Sequence, residues 1–273
     1  MKTLFTVSLV MGALVMYGQS IDVGVGYQYG MPGILGESTF EADDVSSTEV
    51  ICGSLGTGLS ANLNVNFPLT SYLDVGIGAN FTKGFKQMTD QYEYQFTSNS
   101  IVSTDYAAFT RLDLTPHVTL RTSIEDGMGM YARGGFMLPV FSGITWTGEG
   151  GSGSFAYSYE ERSWDRFSIG YFSEIGATFS LSDNIDIGVG LFGTKMSGKK
   201  AKGEYLSYMQ DGEEQIDTWE VYDREINYVK MLDRNSNNLG YNDEVDFDAP
   251  RDNLQTSNNY SAFGGVIRTT FRF

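Results

Sequence analysis

One short polar stretch of the sequence has the ligand spacing of a calcium loop. The segment DRNSNNLGYNDE runs from Asp233 to Glu244, with oxygen-bearing side chains at the alternate positions Asp233, Asn235 and Asn237. Glu244 falls at the twelfth position, where an EF-hand places its bidentate carboxylate. Asn238 replaces the usual sixth-position glycine, although Asn tolerates positive φ. The pattern predicts a Ca²⁺ site here, with a polar surface loop as the alternative.

Catalytic chemistry has few candidate residues. His117 is the single histidine and Cys52 the single cysteine. Enzymes that activate a nucleophile or a water usually need a histidine base. His117 follows Pro116 on a segment whose alternation turns it inward, so we expect a hydrogen-bonding role. The sequence therefore predicts a non-enzyme, without a disulfide or a thiolate metal site.

The charge balance limits the classes of partner. The chain carries 34 acidic and 18 basic side chains, for a formal net charge of −16. The basic residues do not cluster into a phosphate-binding patch, and this balance argues against nucleic acid as a partner.

The first residues have the layout of a secretory signal peptide, which we assign to positions 1–20. Lys2 supplies the positive start, and a mainly apolar run from Leu4 to Met16 is too short to cross a bilayer as a helix. Cleavage after Gly18 or after Ser20 fits the small residues there. The mature chain, 21–273, is expected to be exported.

Eight segments of the mature chain alternate apolar and polar residues with the period of a β-strand. Short turns at 68–71, 122–129 and 182–184 alternate with long connections at 30–53, 83–105, 146–164 and 196–259. The predicted strands cover residues 21–29, 54–67, 72–82, 106–121, 130–145, 165–181, 185–195 and 260–273.

This layout predicts the fold class. An even number of antiparallel strands, with short turns at one end and long loops at the other, is typical of an outer-membrane barrel. A soluble barrel would have to bury the apolar set of each strand and expose the charged set, which alternates with glycines that suit a crowded lumen. We therefore predict an all-β, eight-stranded antiparallel up-and-down transmembrane β-barrel with long extracellular loops.

The inward-facing set forms a nearly balanced group of charges. Paired charges in so narrow an interior favour a structural plug, and an ion-conducting pore is the alternative. Arg272 is expected to lie close to Asp22, because closure pairs the first strand with the last. The predicted lumen network comprises Asp22, Asp74, Arg111, Asp113, Arg121, Arg133, Arg166, Glu174, Asp186, Arg268 and Arg272.

The terminal Phe271-Arg272-Phe273, the repeated Asp-Val-Gly-Val-Gly strands and the loop rhythm resemble the OmpA/OmpX-type family of small outer-membrane β-barrels. The resemblance covers nearly all of the mature chain. It implies a place in the bacterial outer membrane, contact with its lipid, and a C-terminal signal, Phe271 and Phe273, read by the barrel-assembly machinery. We expect Phe273 at the membrane edge on the lipid side.

The long connections suggest the function. The longest is strongly acidic, and alternating aromatics in QYEYQF (91–96) and FAYSY (155–159) suggest that the wall continues beyond the membrane. The leading hypothesis is a structural or interaction role, as a subunit of a larger outer-membrane assembly with a protein partner. A narrow porin-like channel for small solutes is the alternative, and an enzyme that modifies lipid A or peptides comes third. No cofactor is expected apart from Ca²⁺ in the longest loop.

Overall fold

The computed structural model describes residues 19–42, 45–95, 100–122, 127–153 and 155–273. All but the last two residues of the predicted signal peptide, 1–20, lie outside these ranges. Seventeen strands are formed in the described chain. In chain order they are β1 Ser20–Gly30, β2 Gly33–Ala42, β3 Val45–Gly53, β4 Gly58–Pro68, β5 Leu73–Gly84, β6 Gln87–Gln95, β7 Ser100–Arg121, β8 Met128–Ser152, β9 Phe155–Arg166, β10 Gly170–Ser182, β11 Ile185–Lys195, β12 Ser197–Gln210, β13 Glu213–Glu214, β14 Glu225–Val229, β15 Arg251–Leu254, β16 Ser257–Asn259 and β17 Ala262–Arg272.

Eight of these strands close into an antiparallel barrel, which confirms the predicted fold class. The order around the barrel is β1, β4, β5, β7, β8, β10, β11, β17 and back to β1. Closure occurs where β1 pairs with β17, from Ser20 opposite Arg272 to Gly30 opposite Ala262. Because every barrel strand has two neighbours, no edge is left in this part of the sheet.

The alternation of the strands separates an apolar outer surface from a polar interior. Val25, Ile175 and Leu191 point outward and are 63%, 64% and 68% exposed, whereas Asp22 and Glu174 point inward and are 2% and 6% exposed. Eight strands enclose a lumen that side chains alone can fill. The outer surface is therefore a continuous apolar band, and the polar side chains fill the core.

Glycines make room for the large inward side chains. A Cβ on Gly76 would run into the ring of His117, and one on Gly188 would lie 2.8 Å from Cγ of Arg268. The lumen is crowded enough that the inward glycines of the repeated Gly-containing strands are needed for packing.

The long connections extend the sheet beyond the barrel, and we call this extension the wall. β7 and β8 continue beyond the barrel, β6 pairs with the far half of β7, and β9 pairs with the far half of β8. β12 then pairs with β9, and β2 adds in parallel to β6. The prediction that the wall extends at 91–96 and 155–159 is confirmed for the described residues 91–95 and 155–159. The connections predicted as long loops contain these strands. Most described residues of 30–53, 83–105 and 146–164 are in strands, whereas fewer than half of 196–259 are.

Helical structure in the described chain is limited to two single turns. These are a 3₁₀ turn, Ile216–Thr218, and α1, Val221–Arg224. Apolar residues recur at helical spacing from Trp219 to Leu232. They do not form a longer helix, because the chain turns into β14 at Glu225, whose residues pair with β12 and β15. No helix among the described residues is long and apolar enough to cross a membrane.

Candidate functional site

A network of ion pairs crosses the middle of the lumen. Nη2 of Arg133 on β8 lies 2.5 Å from Oδ2 of Asp22 on β1, and Nη1 of Arg268 on β17 lies 3.5 Å from the same oxygen. Arg268 also donates to Oε1 of Glu174 on β10, which accepts a second bond of 2.5 Å from the Tyr131 hydroxyl on β8. The five side chains link four strands, and they are all buried. Charges removed from water in this way need their partners in place.

Two further pairs lie at the short-turn end of the lumen. Arg121 approaches Asp74 with an N–O distance of 3.0 Å, and Arg272 approaches Asp186 at 2.6 Å. Arg272 was expected close to Asp22. Both residues line the small cavity at this end of the lumen, but the guanidinium of Arg272 pairs with Asp186, because β17 also pairs with β11. Asp22 accepts a bond of 2.9 Å from Thr270 on β17.

One predicted member of the lumen network lies elsewhere. Arg166 is exposed at the end of β9, on the wall, and donates to the carbonyl of Tyr228 at 3.1 Å. The predicted strand 165–181 is interrupted at 167–169, so the inward parity of β10 does not extend back to Arg166. The remaining ten predicted residues line the interior; among them Arg111 and Asp113 form a fully buried pair at 2.8 Å.

Little space remains between these side chains. A cavity of about 50 Å³ lies in the upper lumen beside Asn64, Arg133 and Phe172, and one of about 80 Å³ lies near the short-turn end beside Asp74 and Arg121. A water molecule occupies about 30 Å³ in the liquid. Cavities of this size hold a few water molecules.

An apolar layer, which we call the cap, closes the lumen at the long-connection end. Phe109 of β7 and Tyr260 pack with ring centroids 5.3 Å apart, and both are 1% exposed. Leu35, Trp146 and Phe172 pack against the layer from its rim. The other buried members of the cap are Leu55, Ala107, Met137, Ile144 and Met196.

The turn 54–57 places Leu55 in this cap. The Ser54 hydroxyl lies 2.9 Å from the carbonyl of Ser261, and Gln28 donates to the carbonyl of Gly56 at 2.7 Å. A Cβ at Gly56 would lie 2.6 Å from the Tyr260 carbonyl oxygen, so only glycine fits so close to that backbone. These residues fall in the predicted strand 54–67, which begins only at Gly58, and the SLGTG run at 54–58 is the sequence signal for the turn.

The two catalytic candidates are placed far from one another. The buried ring of His117 has Nδ1 2.8 Å from the Thr115 carbonyl and Nε2 2.9 Å from Oδ1 of Asn66. Both nitrogens are therefore engaged within the lumen. Cys52 is an exposed free thiol on β3.

The segment predicted to bind calcium is organised by Asn237. Its side-chain Nδ2 donates to the carbonyls of Asp246, Ala249 and Pro250 at 2.8, 3.1 and 3.1 Å, and its Oδ1 accepts from the backbone amide of Asp246 at 2.7 Å.

The other predicted ligands are placed within the same segment. Oδ1 of Asp233 accepts from the Asn235 amide at 2.8 Å, and the Glu244 amide donates to Asn242. Among the described residues, no group of three or more His, Cys, Asp or Glu side chains is arranged to hold a metal ion. Because Oδ1 of Asn237 is already bonded to the backbone, the residues as arranged do not fit an EF-hand ligand set, and calcium binding stays a prediction.

The wall carries a row of aromatic rings beside a cleft. Tyr157 and Tyr159 come from β9, Tyr205 and Tyr208 from β12, and Trp219 from the connection before α1. Successive ring centroids, from Tyr157 through Tyr208, Trp219 and Tyr205 to Tyr159, lie 6.4, 4.7, 5.5 and 5.7 Å apart. A cleft of about 440 Å³ remains beside them, bounded also by Asp223 and Arg251. We call this set of five the aromatic row.

Charged groups are buried beneath the row. Glu161 accepts a bond of 3.2 Å from the Tyr228 hydroxyl, and Nζ of Lys200 lies 3.8 Å from the Trp146 ring centroid. Burial raises the pKa of Glu161 and lowers that of Lys200, and each partly offsets the other. Burial raises the pKa of Tyr159 as well, with the Asp105 carboxylate adding to the effect.

The C-terminal strand has the predicted exposure of its last aromatic residue. Phe273 is 64% exposed on the outer surface, and its amide donates to the Gln19 carbonyl at 3.0 Å. Phe271 faces the same side and is 37% exposed. Their role as an assembly signal stays a prediction.

Comparison with known proteins gives no relative in sequence. No family model matches the chain, and no curated protein matches it. Among solved structures, Neisserial surface protein A is 10% identical with a TM-score of 0.37, covering 93% of this chain and 97% of that one. Ail, the attachment invasion locus protein of Yersinia pestis, is also 10% identical, with a TM-score of 0.33 and coverages of 94% and 100%. The outer membrane protease OmpT from Escherichia coli is 9% identical, with a TM-score of 0.30 and coverages of 94% and 97%. Similarities this remote carry no argument about function.

Proposed function

We propose that the chain is a bacterial outer-membrane barrel protein with a structural or interaction role. The apolar outer band supports a lipid environment, because large exposed apolar surfaces are rare on soluble monomers. A band of apolar side chains around a polar lumen is the arrangement expected for a barrel in lipid. The short turns then face the periplasm, and the wall stands outside the cell.

The closed lumen carries the proposal. Ion pairs cross its middle from Asp22 and Glu174, and the cap seals its outer end around Phe109 and Tyr260. A solute would have to break both layers to pass. Neither layer supports the channel alternative. The proposal therefore places the interaction on the extracellular wall.

The wall ends in a strand that is available for pairing. Among the described residues β3 pairs with β2 alone, and most of its nine residues are exposed. An unprotected edge strand is a template for a strand from another chain. This supports the hypothesis that the barrel is a subunit of a larger outer-membrane assembly.

A non-enzymatic role agrees with the placement of the reactive groups. His117 is bonded on both ring nitrogens inside the lumen, and Cys52 stands alone on β3. A hydrolytic site on the wall would need another base, such as a carboxylate that holds a water. The proposal therefore assigns no substrate.

Purification from native membranes tests the proposal. The tagged protein, expressed at its native level, would be extracted in mild detergent and its native mass measured. We expect a stoichiometric protein partner; a lone barrel would contradict the assembly role. Thr48→Pro and Glu49→Pro form a matched pair, because neighbouring amides in a strand point to opposite edges. One of the two substitutions removes an amide at the free edge of β3, and the other removes an amide that faces β2. If only the first abolishes binding of the partner, the partner contacts β3.

A further inference from the structure

The aromatic row has the dimensions and composition of a ligand site. Its cleft of about 440 Å³ falls within the usual range of ligand pockets, which are lined by aromatic side chains with a few polar groups. Asp223 and Arg251 supply the charged groups at its border. The five rings lie in one continuous run, so a ligand could contact several ring faces at once.

The rings are held in position before any ligand binds. Four of them stand on the paired strands β9 and β12, with Tyr208 opposite Tyr159 in the register. The Tyr157 hydroxyl donates to Ser103 on β7 at 2.8 Å, which fixes that ring across the wall. Trp219 packs on both Tyr205 and Tyr208. Each ring is nevertheless only partly buried, so its remaining surface faces the cleft or solvent.

An acidic connection lies beside the cleft. The connection between β12 and β14, residues 211–224, supplies Trp219 and Asp223 to the lining of the cleft and carries six acidic residues against a single base, Arg224. Arg224 is 3.5 Å from Glu225 at the start of β14. The Glu214 carboxylate is fixed beside the row, since it accepts from the Tyr208 amide at 2.8 Å and the Ser207 hydroxyl at 2.6 Å. The six acidic residues are Asp211, Glu213, Glu214, Asp217, Glu220 and Asp223.

Arg251 is the one cation that borders the cleft among the described residues. Its guanidinium lies 5.9 Å from the ring centroid of Tyr222, beneath the cleft, and interacts with the Tyr205 hydroxyl and the Glu161 carboxylate. Arg251 therefore has partners of its own beneath the cleft, and Asp223 and Glu214 remain to attract a ligand of opposite sign.

We propose that the aromatic row binds an extended peptide segment that carries lysine or arginine side chains. Cations bind over the faces of Trp and Tyr rings, and the carboxylates of Asp223 and Glu214 add charge complementarity. Neutral glycans also stack on such rings, but the acidic connection beside the cleft favours a cationic ligand. This inference rests on the proposed interaction role and names the chemistry of the partner.

Fluorescence anisotropy with the full-length protein in detergent micelles tests the inference. The probe is a fluorescein-labelled peptide of alternating arginine and glycine, and a glutamate–glycine peptide is its counterpart. We expect the basic peptide to bind and the acidic one not to bind. Trp219→Ala is expected to weaken binding at least tenfold, whereas Trp219→Phe, which keeps an aromatic face, retains most of it. The matched control is Tyr241→Ala, an exposed ring of the connection between β14 and β15, outside the row.

A charge control tests whether peptide binding depends on the cleft or on the net negative charge of the whole chain. Asp223→Asn and Glu37→Gln remove the same charge, one from the cleft and one from the exposed face of β2. We expect a several-fold loss for Asp223→Asn alone. An equal loss in both, no effect of Trp219→Ala, or displacement of the basic peptide by maltohexaose at low concentration would overturn the inference. Peptide binding without a native partner would instead refute the assembly role, while a native partner without peptide binding would refute only the assignment of the cleft.

Discussion

Asp22 and Arg133 meet across the interior of the barrel, 2.5 Å apart, although 111 residues separate them in the chain. Asp22 comes from β1 and Arg133 from β8, which are not neighbours around the barrel. Arg268 shares the Asp22 carboxylate and carries the connection on to Glu174. The pair therefore links two strands across the lumen as well as filling the interior.

Removing the carboxylate at the centre of this network is expected to destabilise the barrel. Asp22→Asn leaves Arg133 and Arg268 buried without their shared counter-charge. Breaking a buried ion pair from one side costs about 3–5 kcal/mol. The free energy of unfolding in urea, followed by tryptophan fluorescence in micelles, checks the value. Asp183→Asn, in the exposed turn before β11, is the control, and an equal effect of the two variants would contradict the account.

The cap is expected to depend on Phe109. Phe109→Ala removes a ring that is 1% exposed and packed on Tyr260, and such truncations cost about 3–5 kcal/mol. Phe136→Ala removes the same atoms from the outer surface, where the ring is 58% exposed, and should cost much less. Urea unfolding of both variants compares them. Similar losses would mean that the cap is not a packed layer.

Lowering the pH is expected to stabilise the wall around Glu161. Burial raises the pKa of this carboxyl, so the folded state binds a proton more readily than the unfolded chain. The stability from this group is present at low pH and is lost as the pH rises through its folded pKa. Asp105, whose pKa burial also raises, acts in the same direction.

Hydrogen exchange of β14 between pH 5 and pH 7, corrected for intrinsic rates, measures this effect. We expect several-fold less opening at pH 5, and a smaller difference in Glu161→Gln, which cannot titrate. Lys200 and Arg251 lie beside this position in both proteins. An unchanged pH dependence in the variant would show that Glu161 is not responsible.

Asn237→Asp separates two roles of the segment 233–244. A calcium loop should bind the ion more tightly with a carboxylate at this position. The observed contacts predict the opposite outcome, because a carboxylate cannot donate to the carbonyls of Asp246, Ala249 and Pro250. We expect faster proteolysis of this segment and no gain in Ca²⁺ affinity by calorimetry. Tighter calcium binding with an intact segment would restore the metal hypothesis.

The barrel could be predicted from sequence because period 2 is a local signal. The predicted strand at 185–195 has the observed bounds of β11, and the parity of Asp22 and Glu174 placed both in the lumen. The lumen position predicted for Arg166 is wrong because its parity was counted through the break at 167–169. The ion-pair partner of Arg272 could not be predicted, because side-chain pairing depends on the stagger of β17 against both of its neighbours. The sequence of a single strand does not reveal this stagger.

The candidate site was harder to predict because its parts are distant in sequence. The aromatics of 155–159 suggested an extended wall, but Tyr205, Tyr208 and Trp219 join them only through the pairing of β9 with β12. The turn at 54–57 likewise depends on contacts with Ser261, more than 200 residues away. Local periodicity carries no information about such long-range contacts.

Conductance in planar lipid bilayers tests the closed lumen most directly. The refolded full-length protein would be inserted at high salt and recorded over a range of voltages, with a known porin as the insertion control. The account predicts no stable unit conductance, because the network around Asp22 and the cap around Phe109 both block the interior. Reproducible conductance steps from the wild-type protein, carried by correctly folded barrels, would contradict it and favour the channel.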